Sequence, residues 1–266
     1  MDATQAKIQL QEFTNHHINI CEHLKNEVKE NLDITPGNNI YLLIKGIQQT
    51  IALEGNYVEC GTFEGRTLFP LATFYNKVSN SIQQLTQGMG RKYLKTIYGM
   101  DSFKGFPTSE YHSNDLPERF KDLYKDKLIS KDHFEKAKKR TKNFKSLDHL
   151  KSNYFEDIND VFEKAKKVQN VELIKGSFSD TTPNFDKKIC LLHLDCDLYE
   201  SYLVCLDNLY KNVVNKGVII FDEYYSYKYP GARIAVDEFF KDKKGTFEKY
   251  IDPEGYERWW FIKEED

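Results

Sequence analysis

Alternation is the feature that most constrains this chain. Five short apolar runs, at residues 57–60, 96–100, 171–174, 189–194 and 217–221, have the length of strands, and helical patterns at 67–77, 199–213 and 233–241 fall between or after them. Strands alternating with helices at this spacing predict an α/β, Rossmann-like, doubly wound and mostly parallel sheet with helices on both faces. Two more runs, 247–251 and 257–262, joined through Pro253-Glu254-Gly255, read as closing strands and bring the expected sheet to seven. A chain of 266 residues suffices for one such domain and is short for two, so 1–266 is expected to be a single domain.

Two segments stand outside the alternation. Residues 5–51 are patterned as helices broken at Pro36-Gly37, an extension expected to cap the domain or to pack on a partner subunit as a homo-oligomer. Residues 104–167 read as a helical insertion placed to act as a lid. Its 121–167 portion holds 13 Lys and one Arg against 9 Asp or Glu, with Phe, Tyr and Leu at helical intervals, which describes a solvated helical excursion better than a nucleic-acid patch. A further polar stretch, 79–93, is expected to form a loop. The net charge of −3 gives no global attraction to nucleic acid or anionic membrane, and no apolar run approaches a membrane span. Five cysteines without CxxC spacing, and a start lacking a basic and then apolar segment, suggest reduced thiols in a cytoplasm rather than a secreted disulfide frame.

Open parallel sheets bind ligands at the carboxyl ends of their strands, where the strand order reverses. The first strand runs out through Glu59-Cys60-Gly61-Thr62-Phe63-Glu64-Gly65-Arg66-Thr67. Gly61 allows a tight bend, and Gly65 would let a ligand lie close to the backbone at the helix start. A dinucleotide site wants glycine where Glu59 stands; a carboxylate there repels pyrophosphate and suits the cationic amino-acid portion of S-adenosylmethionine. The same residues in a purely structural turn are the plainer reading. Asp101-Ser102, at the end of the second strand, can accept hydrogen bonds from ribose hydroxyls, or Asp101 can simply cap the next turn. Ser177 and Phe178, after the third strand, are candidates to hydrogen-bond and cover the adenine. Glu59, Gly61, Thr62, Gly65, Asp101, Ser102, Ser177 and Phe178 are therefore the candidate cofactor-binding residues.

A sharper signal lies at the fourth and fifth strands, which end Leu194-Asp195-Cys196-Asp197 and Phe221-Asp222-Glu223. Asp195 and Asp222 are 27 positions apart, room for one crossover helix and a return strand, so both acidic pairs should emerge on one sheet edge. Carboxylates gathered there repel unless a hard divalent cation such as Mg²⁺ lies among them. Near a methyl donor, a cation chelated by two substrate hydroxyls would acidify and align the attacking oxygen. Asp195, Asp222 and Glu223 are the candidate metal ligands and Asp195 the candidate catalytic residue. Asp197, just before Tyr199, is the acid most suited to capping a helix. The proton acceptor is left open: His193 reads as a core histidine and His112 as a weaker alternative.

These residues resemble the macrocin O-methyltransferase family. The resemblance is carried by Glu59-Cys60-Gly61-Thr62-Phe63-Glu64-Gly65, Asp101-Ser102-Phe103-Lys104-Gly105-Phe106-Pro107, Leu194-Asp195-Cys196-Asp197-Leu198-Tyr199-Glu200-Ser201, Phe221-Asp222-Glu223-Tyr224, Pro230-Gly231-Ala232-Arg233 and Ala235-Val236-Asp237-Glu238-Phe239, in that order over residues 57–240. It implies a class I methyltransferase using S-adenosylmethionine and magnesium on sugar hydroxyls, with Asp195, Asp222 and Glu223 matching the metal ligands and Glu59, Gly61 and Asp101 the donor contacts. Members often carry two aspartates where this chain has Asp222-Glu223. The acceptor is not implied, because the insertion and the N-terminal helices depart from the family. A catechol or phenol O-methyltransferase, an NAD-dependent oxidoreductase and a non-catalytic binding protein remain as rival readings. No GxSxG, Walker A or HExxH run is present in the sequence.

Overall fold

The computed structural model describes residues 3–85, 94–106, 112–142 and 158–265, with side chains from Asn15 onward except Leu85. Its centre is a seven-stranded sheet. The strands are β1 (Asn56–Cys60), β2 (Ile97–Asp101), β3 (Val171–Lys175), β4 (Ile189–Leu194), β5 (Val213–Phe221), β6 (Gly245–Ile251) and β7 (Glu257–Lys263), in the order β3-β2-β1-β4-β5-β7-β6. The first five run parallel, and β7 is antiparallel to both β5 and β6. The order reverses between β1 and β4, which puts the switch point of a doubly wound sheet there. β4 is buried at all six residues and reads as a continuous apolar run, as a central parallel strand covered on both faces must. His193 is the one polar side chain in it.

One face is covered by α1 (Ala3–Leu32), α2 (Ile40–Thr50) and α3 (Leu68–Leu85). α2 lies directly on the sheet, with Ile40, Leu42, Leu43, Ile44 and Ile47 fully or nearly fully buried. A Cβ on Gly46 would come within 3.0 Å of a Leu191 methyl and 3.1 Å of an Ile220 methyl, so glycine lets the helix backbone seat directly on the side chains of the sheet. Each such buried aliphatic side chain contributes ~2 kcal/mol against chain entropy. The N-terminal extension thus caps the domain and is part of its core, with Cys21, Leu24 and Val28 of α1 packed outside α2 and α3.

The other face carries α7 (Phe178–Thr181), α8 (Tyr199–Leu209) and α9 (Pro230–Phe239) around Tyr202, Cys205, Leu206 and Val236. From the insertion, α4 (Arg119–Lys125) and α5 (Lys131–Thr141) close a small cluster of Phe120, Leu123, Ile129 and Ala137 against Ile234 of α9 and Tyr227. α6 (Ile158–Lys167) packs Val161 into the first core and Phe162 against Phe103. Among its described residues, the insertion keeps most of its lysines exposed. Its apolar face is docked, which the expectation of a solvated excursion did not include.

Several boundaries differ from the sequence reading for physical reasons. The 79–93 loop is helical as far as Leu85, since α3 continues over polar residues that face solvent; 86–93 lie outside the described residues, as do 107–111 and 143–157 of the insertion. β5 begins at Val213 rather than 217, because the pairing with β4 jumps from Ile189↔Val213 to Leu191↔Val218 and Lys216 turns through φ 64°. The helix expected to reach residue 213 ends at Leu209 and tightens into a 3₁₀ turn at Tyr210–Asn212.

Candidate active site

Strand register sets the geometry of the site. Cys60 pairs with Met100 on one side and Leu194 on the other, and Leu194 pairs with Phe221. Gly61, Asp101, Asp195 and Asp222 therefore leave the sheet side by side. Backbone bonds continue the ladder one step further, Gly61 N–H to Met100 O at 2.9 Å, Asp195 N–H to Cys60 O at 2.9 Å and Asp222 N–H to Leu194 O at 3.0 Å. Gly61 sits at φ 96°, and a Cβ there would lie 1.7 Å from the Asp195 carbonyl oxygen. Glycine is required at that position because two strand ends touch.

A cleft of about 1320 Å³ opens along these ends. Gly61, Thr62, Asp101, Ser102, Ser177, Phe178 and Asp195 line it, so the sequence candidates from four strands are brought together. Asp101 accepts the backbone N–H groups of Phe63 (2.8 Å) and Phe103 (2.7 Å), two residues held in the left-handed region at φ 48° and 51°. Burial raises its pKa and these amides oppose the rise. It does cap the following turn, and it also fastens the β1 turn to the β2 turn. Ser102 Oγ donates to Gly105 O at 3.2 Å. Ser177 caps α7 and donates to Asp180 at 2.6 Å, with Phe178 beside it against the second core. Thr62 Oγ1 is buried with no partner.

Two candidates stand off the cleft wall. Gly65, at φ 74°, has its missing Cβ filled by the Phe69 ring, 2.2 Å from where that atom would be. Its glycine is explained by packing. Glu59 lies beneath the cleft, 1% exposed, accepting from Thr67 Oγ1 at 2.5 Å and paired with His193 Nδ1 at 3.0 Å.

On the β4–β5 side, Asp195, Asp197, Asp222 and Glu223 converge. Burial, then repulsion from Asp222, lifts the pKa of Asp195 far above the carboxylate range. Burial and the three aspartates do the same to Glu223, whose Oε2 accepts from Tyr202 Oη at 2.7 Å and Asp197 N–H at 3.4 Å. Asp197, at φ 60°, is lifted by burial to about 7, with Lys228 opposing. Asp222 behaves oppositely. Although burial opposes it, His193 and Arg258 hold it down at about 2, with Arg258 Nη1 at 3.3 Å. His193 itself, despite burial, is raised to about 10 by Asp222 and Glu59, the two carboxylates on either side of its ring favouring the protonated form. The pairing Glu59–His193–Asp222–Arg258 runs under the whole site and was not legible in the sequence, since its members come from four strands.

Asp197 does not cap α8. That role falls to Asp115 of the insertion, which accepts the Tyr199 N–H at 2.8 Å, while the His112 ring stacks on Tyr199 at 4.5 Å. A Cβ on Gly231 would lie 2.0 Å from Asp115 Oδ1, so the same carboxylate is wedged against the start of α9. The sequence signal for Asp115 was slight: one acidic residue within the 104–167 insertion, next to no strand or helix end that the pattern marks.

A second cavity of about 320 Å³ lies past the cluster, lined by Ser226, Tyr227, Lys228, Tyr229, Tyr256 and Arg140. Asp195 and Asp197 line both cavities. His193, Asp195 and Asp222 each offer an atom within 4.8 Å of the others, a spacing at which a metal ion could be held, whereas Glu223 is turned toward Tyr202. His193 Nε2 is buried without a hydrogen-bond partner and lies 3.9 Å from Asp222. Convergent, mutually repelling carboxylates fit a divalent cation, which His193 Nε2 could join only after losing its proton. No described helix is long and apolar enough to cross a membrane.

The sequence model of the macrocin-O-methyltransferase family matches residues 135–256, which include β3, β4, β5 and all four acidic residues of the cluster. No curated protein matches the chain by sequence. Among solved structures, the chain resembles the O-methyltransferase NovP, with 20% identity, coverage of 86% of this chain and 80% of NovP, and a TM-score of 0.51. It also resembles the calicheamicin methyltransferase CalS11, with 17% identity, coverage of 98% and 94%, and a TM-score of 0.52. These two likenesses establish the fold, and the family match covers the cluster. The chain thus has the class I methyltransferase fold, and its residues 135–256 match the model of the macrocin-O-methyltransferase family.

Proposed function

We propose that this protein transfers a methyl group from S-adenosylmethionine to a hydroxyl of a small polyhydroxylated acceptor, a sugar or sugar-containing metabolite, with a divalent cation at the carboxylate cluster. The observation that carries the reading is the wall formed by Asp195 and Asp197 between the two cavities. The larger cleft has room for a nucleoside and its amino-acid tail, and the smaller one for a sugar ring. The sugar is supported by the matched family, named for a macrocin methyltransferase, and by the fold shared with a calicheamicin methyltransferase.

In this reading Asp101 receives the ribose hydroxyls, and Ser102, Ser177 and Phe178 border the base. Gly61 and Thr62 lie beside the amino-acid end. Glu59 acts from below the cleft, through Thr67 and His193. Asp195 and Asp222 are the cation's ligands, with Glu223 able to join through its second oxygen and His193 Nε2 in reach if its proton leaves. Bound there, Mg²⁺ or another divalent cation would lower the pKa of a chelated hydroxyl and fix its position. Asp197 faces both cavities and is placed to hold the proton that the acceptor gives up. Tyr227, Tyr229 and Tyr256 close the acceptor side against water. Five buried free cysteines suit a cytoplasmic enzyme.

The three tyrosines favour one second reading, a catechol or phenol stacked among them. A mass-spectrometric screen of donor plus Mg²⁺ against free sugars, sugar nucleotides, glycosides and catechols separates the two. Methylation of a sugar class, abolished by chelator, is expected. Transfer to catechols alone would replace the sugar reading, and no transfer to any hydroxyl would remove both.

A further inference from the structure

The smaller cavity holds charge of both signs. Arg140 and Lys228 line it together with the four carboxylates of the cluster. Lys228 is half-buried and donates from Nζ to Tyr229 Oη at 2.6 Å, but is in no ion pair among the described residues. Burial lowers its pKa; Asp197 opposes the fall and Arg140 adds to it. Arg140 is likewise paired with no carboxylate among the described residues. Two like charges therefore stand near one another with no anion bound to either.

One docking contact sets both positions. α5 is fastened through His133, whose Nε2 lies 3.1 Å from Ser226 O and whose ring packs edge-on against Tyr225 and Tyr227. Ala137 is buried one turn further along, and Arg140 follows two turns after His133 on that same face. Lys138 and Lys139 already complement the negative end of the helix, yet of the three basic residues in that turn it is Arg140 that lines the cavity. Lys228 belongs to the loop that receives His133. There Ser226 Oγ accepts the backbone N–H groups of Lys228 at 3.0 Å and Tyr229 at 3.1 Å, which leaves its own O–H to donate. A guanidinium, an ammonium and a hydroxyl thus border one small space.

We infer that the acceptor carries a phosphoryl group, held by Arg140, Lys228 and Ser226 Oγ while its hydroxyl faces the wall of Asp195 and Asp197. The inference rests on the sugar transfer proposed above and names the class of sugar, a sugar phosphate or a nucleoside diphosphate sugar. A phosphoryl group offers more acceptor oxygens than a carboxylate to these three donors, and its charge relieves the repulsion between the two cations. The carboxylate wall repels the same group, so the acceptor enters in one orientation, hydroxyl toward the cluster and phosphoryl away from it. Arg140 is exposed as well as lining the cavity, so it marks the side open to solvent, where anything esterified to the phosphoryl group can extend past α5.

The test compares initial rates of methyl transfer, with S-adenosylmethionine and Mg²⁺, to the same sugars supplied as methyl glycosides, 1-phosphates, nucleoside diphosphate conjugates and uronic acids. In wild type we expect kcat/KM to be about tenfold or more higher for a phosphorylated sugar than for its methyl glycoside. Arg140→Gln should erase most of that advantage, through KM rather than kcat, and Lys228→Gln should reduce it. S-adenosylhomocysteine should bind both variants as it binds wild type, which reports that they are folded. A preference for either phosphorylated form supports the inference and identifies which source supplies the phosphoryl group. Equal kcat/KM for neutral and phosphorylated sugars, a preference for uronic acids, or an Arg140→Gln variant that keeps the full advantage would overturn it and leave the sugar reading intact. If no sugar is methylated in any form, the sugar reading falls, and this inference with it.

Discussion

At the ends of β1 and β2 the chain presents backbone; at the ends of β4 and β5 it presents charge. The first half is shaped by Gly61, by Phe63 and Phe103 in left-handed conformations, and by one carboxylate, Asp101, holding both turns through their amides. The second half gathers four carboxylates with His193, Arg258 and Lys228 set against them. Shape tolerates an empty site at little cost, whereas convergent charge does not. The contrast teaches that the donor half should be pre-formed and the acceptor half should respond to what binds it.

The largest expected effect breaks the second half. Asp222→Asn should lower turnover of the accepted substrate roughly thousandfold, since several kcal/mol of cation-assisted stabilisation depend on it. Asp195→Asn should be as inactive yet melt about 3 °C higher, because it removes a carboxyl that is ionised only against burial and repulsion. A lower melting temperature for Asp195→Asn would mean that the cluster is not strained.

Next comes the docked insertion that borders the acceptor cavity. His133, 1% exposed, is held neutral there by burial, its pKa lowered from 6.5 to about 4. Between those values the unfolded chain binds a proton that the folded chain refuses, so stability falls as pH drops through 6.5 toward 4. The total is about 3 kcal/mol. Denaturant unfolding at pH 7.5 and 4.5 should show the loss in wild type, and His133→Phe should remove most of it.

In the donor half, Asp101→Ala should weaken S-adenosylhomocysteine about hundredfold, or about 2.7 kcal/mol, by losing the ribose contact and both amide caps. Asp101→Asn, which keeps an acceptor oxygen, should recover part of this. The smallest effect is at the hinge between insertion and site. Asp115→Ala removes the cap of α8 and should cost about 1 kcal/mol, read in the same denaturant titration, while Asp115→Asn should cost less.

The halves also differ in how legible they were. Strand runs that end in Gly or Asp announce a parallel sheet and its ligand edge, because burial on both faces demands continuous apolar residues. β4 was therefore found at its full span, and Asp101, Asp195 and Asp222 were placed on one edge. What escaped was pairing at long range. Arg258 lies on the antiparallel β7 and Asp115 in the insertion, and nothing local in those segments marks them as partners of the site. His193 was identified as buried, but its charge depends on Glu59, 134 positions earlier. Asp197 was read as a cap because it precedes a helix, and a carboxylate from elsewhere took the role. Gly65 looked like a ligand contact and is a packing requirement, since glycine answers to either cause.

The central claim is that one half of the sheet edge holds the donor and the other a cation. Calorimetric titration of S-adenosylhomocysteine and of Mn²⁺ into Asp101→Ala and Asp222→Asn tests it directly. The account predicts that Asp101→Ala loses most of its affinity for S-adenosylhomocysteine and keeps Mn²⁺, while Asp222→Asn keeps S-adenosylhomocysteine within a few-fold and loses Mn²⁺. If Asp222→Asn bound Mn²⁺ as wild type does, or Asp101→Ala kept its grip on S-adenosylhomocysteine, the division would be contradicted.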